Sequence, residues 1–332
     1  MSRRLSHNAS GRTNSRSQDS AVPGPSAETR RSRLLGLLIG DLNNPFFPEL
    51  IHAFEDLATR HGYEILSCST GYDTERTRRS IRRMLELRVE GAAILTFGSE
   101  GPLRGEILRQ LSAIPLVVID DAVRSSRACA LTIDYRRGMR EAVQHLANLG
   151  HRRIAYISGP LGERSAQLRR EAFLATIEEA DCMCRESWLI EGNHTLESGM
   201  HAMGHILGQK ALPTAVMCSN DVMAFGAKRE LHRRGIDQPG CISVVGFDDV
   251  LFAEFATPPL TTIRMSRKAL ARAAVEALRS LIELPGEPVP GILLKVPTSL
   301  VVRQSTGYAP RSAARAEAGA ADSLAAARRP RA

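Results

Sequence analysis

The sequence has no apolar run approaching 18 residues, so a membrane-spanning helix is excluded. Its basic N-terminal segment is followed by no apolar stretch, which excludes a cleavable secretory signal. Only six cysteines are scattered over 332 residues, too few and too dispersed for a disulfide framework. These absences predict a soluble cytoplasmic protein.

Lysine is also scarce, since only 4 of the 44 basic residues are Lys, and we attribute this to genome composition rather than to phosphate contacts. The formal net charge is +8, of which residues 1–33 contribute +5 and residues 309–332 contribute +3. The chain between these ends is neutral and carries no excess positive charge for nucleic acid. Both ends have few large apolar residues, which predicts disordered tails over 1–33 and 308–332.

Between the tails, apolar runs of strand length alternate with segments of helical period. The candidate strands are residues 34–40, 63–67, 92–97, 116–119, 130–133, 153–158, 188–190, 215–218 and 242–247. The candidate helices between them are residues 47–60, 75–87, 136–149, 167–179, 197–207 and 222–234. Fully apolar runs flanked by Gly, Pro and Asp are typical of parallel strands buried on both faces, so the alternation predicts an α/β fold.

The sequence repeats itself at an offset of 119 to about 127 residues. The segment RLLG at 33 matches RRIA at 152, AAILTF near 92 matches TAVMCS near 214, and VVIDD at 117 matches VVGFDD at 244. Three matches in the same order predict two similar subdomains, each a small doubly wound parallel sheet. Ligands bind beyond the carboxyl ends of such strands, which predicts one cleft between the two sheets.

Five motifs in combination resemble the lactose-repressor (LacI/GalR) family of bacterial transcriptional regulators. They are GLLIGDLNNPFF at 36–47, GHRRIAYISGP at 150–160, SNDVMAFGA at 219–227, ISVVGFDD at 242–249 and PPLTTI at 258–263. The resemblance spans about residues 32–306 and implies a type I periplasmic-binding-protein-like fold with a ligand cleft. It implies an N-terminal subdomain of 34–134 plus 265–293, to which a helix 266–283 returns. The implied C-terminal subdomain is 135–264 plus 294–307.

The same resemblance implies the residues that hold an effector, either sugar-like or purine-like. Arg169 matches an arginine that grips a sugar hydroxyl pair or a purine, and we expect it to be an exposed side chain of the cleft. The alternative is a surface salt bridge on helix 167–179. Asp248 matches a carboxylate that accepts hydrogen bonds from the ligand, and Asn220 matches its amide partner. Asp221 could instead cap the helix that begins there.

Further effector contacts are implied for Phe46, Phe47, Asp120 and Ser165, although the two phenylalanines could also be simple core residues. His194 departs from the family pattern, because an aromatic ring commonly stacks on the ligand at this position. An imidazole can stack and donate, which favours a more polar or acidic ligand; a loop histidine without a ligand role is the alternative.

The resemblance also implies DNA as a partner, although this sequence differs from the family pattern in its N-terminal segment. Family members begin with a helix-turn-helix headpiece, a unit longer than the 33 residues before the first predicted strand, so we expect no such headpiece in this chain. Operator DNA is then a partner if a headpiece exists or if the basic tail substitutes for it. The prediction is a transcriptional regulator whose core binds a small effector. The alternatives are a cytoplasmic ligand-binding sensor without DNA binding and an exported solute-binding protein, against which the missing signal counts.

A homodimer is implied as well, with contacts around Met223 and Phe225 and around residues 51–57. Enzyme motifs are missing: no nucleophile elbow, phosphate-binding glycine loop or dinucleotide fingerprint occurs, so we predict neither an enzyme nor a cofactor. Cys182, Cys184, His201 and His205 could suggest a metal site, but both histidines lie off the apolar side of their helix. We therefore predict no metal.

Overall fold

A computed structural model describes residues 31–95, 102–120, 127–283 and 294–310. The chain divides into two units, Met1–Arg31 and Ser32–Ala332, and all the described helices and strands belong to the second unit. The tails predicted over 1–33 and 308–332 lie outside the described residues, apart from three residues at the inner end of each.

Within these ranges strands and helices alternate along the chain. The strands are β1 Leu34–Ile39, β2 Glu64–Ser69, β3 Gly91–Ile94, β4 Leu116–Ile119, β5 Ala128–Asp134, β6 Ile154–Ser158, β7 Leu189–Glu191, β8 Ala215–Cys218, β9 Ser243–Asp248, β10 Thr261–Met265 and β11 Leu294–Val301. The helices are α1 Phe46–Arg60, α2 Thr74–Glu86, α3 Pro102–Gln110, α4 Tyr135–Asn148, α5 Arg164–Glu179, α6 Leu196–Leu207, α7 Asp221–Arg233, α8 Phe252–Phe255 and α9 Arg267–Glu283.

The strands lie side by side in the order β2-β1-β3-β4-β5-β11-β10-β9-β8-β6-β7. In the first half, β1 to β5 pair in parallel in the doubly wound order 2-1-3-4-5, and β6 to β10 repeat that order in the second half. The three sequence repeats fall on β1 and β6, β3 and β8, and β4 and β9, which occupy corresponding positions. The predicted fold class is confirmed.

The last strand, β11, joins the two halves. Its residues 294–297 pair in parallel with β5, and its residues 298–301 pair antiparallel with β10. At the change of partner, the Thr298 hydroxyl donates to the Asp134 carbonyl (2.6 Å) and accepts a hydrogen bond from the Gly138 amide (2.9 Å). Helix α9 returns to the first half, where it packs on α1. The exact subdomain boundaries stay a prediction.

The predicted elements agree closely with the observed ones, with two kinds of error. Six of the seven predicted helices, including 266–283, begin within one residue of the observed start, whereas α5 begins at Arg164, three residues before its predicted start. Strand β10 and helices α3 and α8 were not predicted. Thr261 and Thr262 open β10 with two polar side chains, yet both are fully buried with bonded hydroxyls. No helix of the described part of the chain is long and apolar enough to cross a membrane.

The segment after β11 is fastened to the second half by a buried histidine. The His151 ring is fully buried, and its Nδ1 lies 2.9 Å from the Thr214 hydroxyl oxygen. Its Nε2 lies 2.9 Å from the Gly307 carbonyl and 3.0 Å from the Ser243 hydroxyl oxygen. Burial lowers the pKa of His151, and it also lowers the pKa of His145, whose Nε2 contacts the Thr306 hydroxyl. Both rings are therefore neutral in the folded protein at neutral pH.

We expect this arrangement to make the protein less stable in mild acid. A histidine with a lowered pKa in the folded state binds a proton more readily when unfolded, so the free energy of unfolding decreases as pH falls below the usual histidine pKa of about 6.5. Between pH 7.5 and 5.5 the Tm of the wild type should fall by more than that of His151→Gln. The control, His61→Gln at an exposed position, should keep the wild-type dependence. If the Tm of all three proteins depended equally on pH, His151 would not be the residue that causes the loss of stability in acid.

Candidate functional site

Aspartates stand at corresponding ends of the two half-sheets. Asp120 comes directly after β4 and Asp248 ends β9, and both have left-handed backbones with φ of 55° and 111°. Such a conformation costs a residue with a Cβ atom about 1 kcal/mol or more, and it is concentrated at functional sites. The carboxyl ends of the strands are also where the sequence predicted the cleft.

Arg169 of α5 forms the centre of the polar cluster at these strand ends. Its Nη2 lies 3.4 Å from Asp248 Oδ1, and its Nη1 donates to the Ser219 carbonyl at 2.5 Å. The guanidinium carbon stands 4.1 Å from the centre of the Phe247 ring, a cation–π contact. Arg169 is only 7% exposed, so both the expected exposed cleft side chain and the alternative of a surface salt bridge are wrong. The long side chain reaches inward from the first turns of α5.

Asp248 is the buried counterion of Arg169. Burial raises the pKa of the Asp248 carboxyl, and the guanidinium of Arg169 opposes this rise more strongly than His194 or Arg267 does. Asn44, in the loop after β1, also hydrogen-bonds the carboxylate, which joins the first half to the second at this point. The predicted acceptor and the predicted donor therefore lie side by side.

Several buried polar atoms of this cluster have no hydrogen-bond partner among the described residues. They include Arg169 Nε, Asp248 Oδ1 and His194 Nδ1. A buried polar atom left without a partner costs about 1–3 kcal/mol, and nearly all such atoms in folded proteins are bonded. Two nitrogens and a carboxylate oxygen with hydrogen-bonding capacity to spare thus lie in one cluster, which is what a binding site for a polar ligand provides.

His194 is positioned by its neighbours rather than left in a loose loop. Its backbone is left-handed (φ 67°), and its Nε2 lies 3.5 Å from Glu163 Oε2. A Cβ on Gly159 would stand 2.1 Å from His194 Cε1, so the ring can occupy this place only over a glycine. Glu163, which directly precedes α5, was not predicted as a site residue. The only indication in the sequence was that Glu163 lies between Gly159 and Arg169, which both belong to the site.

Asp120 supports the cluster through a residue that the sequence analysis missed. Its Oδ1 accepts from the Ile133 amide (3.0 Å) and its Oδ2 from the Tyr135 hydroxyl (2.5 Å). The Tyr135 ring in turn lies 5.4 Å from the Arg169 guanidinium carbon. Burial raises the pKa of Asp120, while the hydrogen bond from Tyr135 acts against this. The carboxylate therefore fixes Tyr135 beneath Arg169, and both of its oxygens already have a partner.

Asn220 has the capping role that was considered for Asp221, and Asp221 is bonded elsewhere in the protein. Asn220 is the N-cap of α7, because its Oδ1 accepts from the Met223 amide (2.9 Å), and its Nδ2 donates to the His194 carbonyl (3.2 Å). Asp221 does not cap the helix: its carboxylate accepts from the Thr262 hydroxyl (2.5 Å) and the Val250 amide (2.9 Å). Asn220 is fully buried, and its hydrogen bond to the His194 carbonyl holds the His194 loop in place.

The remaining predicted contacts lie around this cluster. Phe46 and Phe47 begin α1, contact each other edge to face at 5.5 Å, and are both buried in the main hydrophobic core. Ser165 is half-buried in the first turn of α5, one turn before Arg169.

Tyr72, in the loop after β2, was not predicted, although the carboxylate of Glu163 acts on its phenol. Partial burial of its phenol raises the pKa of Tyr72, although 44% of the residue is exposed, and the carboxylates of Glu163 and Asp41 raise it further.

Of the two predicted dimer residues, Met223 is not at the surface, and Phe225 is only partly exposed. Met223 is fully buried, and its carbonyl oxygen would stand 2.1 Å from a Cβ on Gly199, so it lies inside the contact between α6 and α7. Phe225 is half-buried against the core. Helix α7 therefore cannot present Met223 to a second subunit. The large exposed apolar side chains nearest in sequence to Asp248 are Leu251, Phe252 and Phe255, at 60%, 58% and 72% exposure.

The candidate metal ligands do not come together. His201 and His205 are exposed on α6, as predicted. Within the described ranges, no group of three His, Cys, Asp or Glu side chains is arranged to hold a metal ion.

Comparisons with known proteins agree with the resemblance seen in the sequence. Residues 143–306 match the family model of the periplasmic binding protein-like domain. The chain is 32% identical over 284 residues to the HTH-type transcriptional repressor PurR of Glaesserella parasuis, covering 84% of this chain and 83% of that protein.

Two solved structures are similar over most of the described chain. The lac repressor dimer bound to operator and the anti-inducer ONPF has a TM-score of 0.72 at 26% identity, covering 84% of this chain and 95% of that one. A LacI transcriptional regulator from a Rhodococcus species has a TM-score of 0.74 at 29% identity, covering 83% and 99%. These relatives are transcriptional repressors and regulators. The chain belongs to the lactose-repressor (LacI/GalR) family of transcriptional regulators, with a periplasmic-binding-protein-like core.

Proposed function

We propose that this chain is the effector-sensing core of a transcriptional repressor, and that a small polar metabolite binds between the two halves at Arg169 and Asp248. The observation that carries the proposal is the set of buried polar atoms without partners on Arg169, Asp248 and His194. A ligand that bonds to these atoms removes the desolvation cost of leaving them unpaired.

The chemistry of the cluster limits the class of ligand. A guanidinium donor beside a carboxylate acceptor matches a molecule that presents an acceptor and a donor on adjacent atoms. A sugar diol has this arrangement, and so does the edge of a purine base. The Phe46 and Phe47 rings at the start of α1 supply apolar surface from the first half, and the His194 ring supplies a flat face from the second. An effector that is sugar-like or purine-like fits this set.

Ligand binding would be coupled to DNA through the relative position of the two halves. Asn44 and Glu49 of the first half bond to Asp248 and to the Leu251 amide of the second, so the cleft is the place where the halves meet. A ligand that binds the closed arrangement better shifts the population toward it. The lac repressor has been solved with operator and an anti-inducer together, which supports a coupling of this kind here.

We expect Arg169→Ala to abolish effector binding and also to destabilise the protein. Arg169 is buried beside Asp248, so its removal leaves a buried carboxylate without its counterion, at a cost of about 3 kcal/mol. The measurements are urea unfolding and the rise in Tm caused by a panel of purine bases, monosaccharides and disaccharides.

The matched control is Arg140→Ala, which removes an arginine more than half exposed and paired with Glu179. It should keep every ligand response and lose less than about 1 kcal/mol. A ligand response that survives in Arg169→Ala would exclude Arg169 from the site.

DNA binding is tested by capture of genomic fragments at moderate salt with the 332-residue chain and with a version lacking residues 1–33. Discrete enriched fragments would support the repressor, because sequence readout needs an ordered element in a groove, whereas basic segments alone give diffuse and salt-sensitive contacts. Loss of enrichment in the shorter version would place the contact in residues 1–33. Diffuse or absent capture by both versions would favour the alternative of a ligand sensor without a DNA role.

A homodimer is part of the proposal, with α8 as the contact in place of Met223. Three large apolar side chains, Leu251, Phe252 and Phe255, are exposed together there, and the similar lac repressor structure is a dimer. We expect Phe255→Asp to convert a dimer to a monomer in sedimentation velocity. Leu85→Asp, at an exposed position on α2, is the control and should leave the dimer intact. A wild type that sediments as a monomer at all concentrations would refute the dimer.

A further inference from the structure

A cavity of about 660 Å³ lies between α1 and the segment that joins β10 to α9. None of the eight predicted effector residues lines it, but it adjoins the cleft, because Arg267 of its lining donates to the Asp248 carbonyl at 2.7 Å. Its size is within the range of pockets that hold small molecules. The lining includes five cationic side chains, namely those of Arg60, Arg264, Arg267, Lys268 and Arg272.

Two of these cations are already neutralised by carboxylates. Arg264 Nε bonds to Asp249 at 2.6 Å, and Arg267 Nε bonds to Glu49 at 2.9 Å. The remaining carboxylate in the lining, Asp56, lies 3.9 Å from the His52 ring on the same helix. The acidic side chains at this cavity are therefore directed to Arg267 and His52.

The other three cations are unpaired. Within the part of the chain that the structure describes, Arg60, Lys268 and Arg272 form no ion pair and no side-chain hydrogen bond. Lys268 and Arg272 are four residues apart on α9 and so share one face of the helix, and Arg60 ends α1 across the cavity. Single unpaired cations are common on a protein surface. Arg60, Lys268 and Arg272 are exposed, and three cations that line one open cavity from two helices form a region of positive potential.

We propose that this cavity, the α1–α9 groove, binds a small anion carrying a diphosphate group. A diphosphate carries several negative charges and many acceptor oxygens within a few ångströms, which matches three separate cations better than a monocarboxylate does. Arg272 and Arg60 supply planar forks for bidentate contacts with phosphate oxygens, and Lys268 supplies a compact charge one helical turn before Arg272. The Ser266 hydroxyl, which also lines the groove, can bond a further oxygen.

Calorimetric titration of the full 332-residue chain with inorganic pyrophosphate at low salt tests the proposal. We expect saturable binding, one anion per chain, that weakens as salt is raised. The double variant K268Q/R272Q should weaken it by about tenfold or more, since each contact removed joins two charged groups. The control K210Q/R229Q makes the same change of charge at exposed positions outside the groove, and it should leave the affinity within about twofold.

A parallel titration with adenosine diphosphate distinguishes the two sources of the group. Tighter binding than pyrophosphate would identify a nucleotide as the ligand, and equal binding would identify the diphosphate alone. Equal weakening in both double variants would show nonspecific attraction and overturn the proposal. A lack of saturable binding would also overturn the proposal. This result is expected if a second subunit covers this face of α1.

Discussion

The buried pair of Arg169 and Asp248 is the interaction on which the rest of the cleft depends. Neither group could be buried alone, because an isolated charge in the interior costs several kcal/mol. Each is therefore surrounded by groups that match it: the Phe247 ring and the Ser219 carbonyl for the guanidinium, and Asn44 for the carboxylate. The 3.4 Å between them is long for a strong ion pair, so the pair retains capacity for a third participant.

The surroundings of the pair explain why so many neighbouring polar residues do not face the cleft themselves. Asp120 holds Tyr135, Asn220 holds the His194 loop, and Asp221 holds the segment after β9. These residues have used most of their bonding capacity on the protein, which fixes the rotamers of the few side chains that are left with capacity to spare. A site built in this way is preorganised, so binding bears little of the cost of ordering it.

Most of the architecture could be predicted from the sequence because its signals are local. Apolar runs of three to seven residues indicated the buried parallel strands, and the repeat at about 120 residues indicated the two halves and their matching order. Strand β10 could not be predicted in the same way. Thr261 and Thr262 are buried only because Asp221, Ser305 and Thr306 bring partners for them from distant parts of the chain.

The sequence predicted which residues form the site, but it predicted their roles less well. Resemblance identified Arg169, Asp248 and His194, and the structure brings all three together. It could not show that Arg169 is buried, since burial depends on Phe247 and Tyr135 from other elements. Glu163 and Tyr72 lie on loops with no periodic pattern, so only their position in space reveals them. Met223 was misplaced because the packing of α6 on α7 through Gly199 and Gly226 is a long-range property.

Strand β11 has a consequence for how the two halves can move. It is hydrogen-bonded to β5 over residues 294–297 and to β10 over residues 298–301, so one short backbone segment belongs to both sheets. Pro297 stands at the changeover and has no N–H to give to either neighbour. The ladder is therefore weakest there, while Thr298 pins the next residue to Asp134 and Gly138. If the halves move against each other as proposed, the chain bends at this link and the gap between Asn44 and Asp248 changes with it.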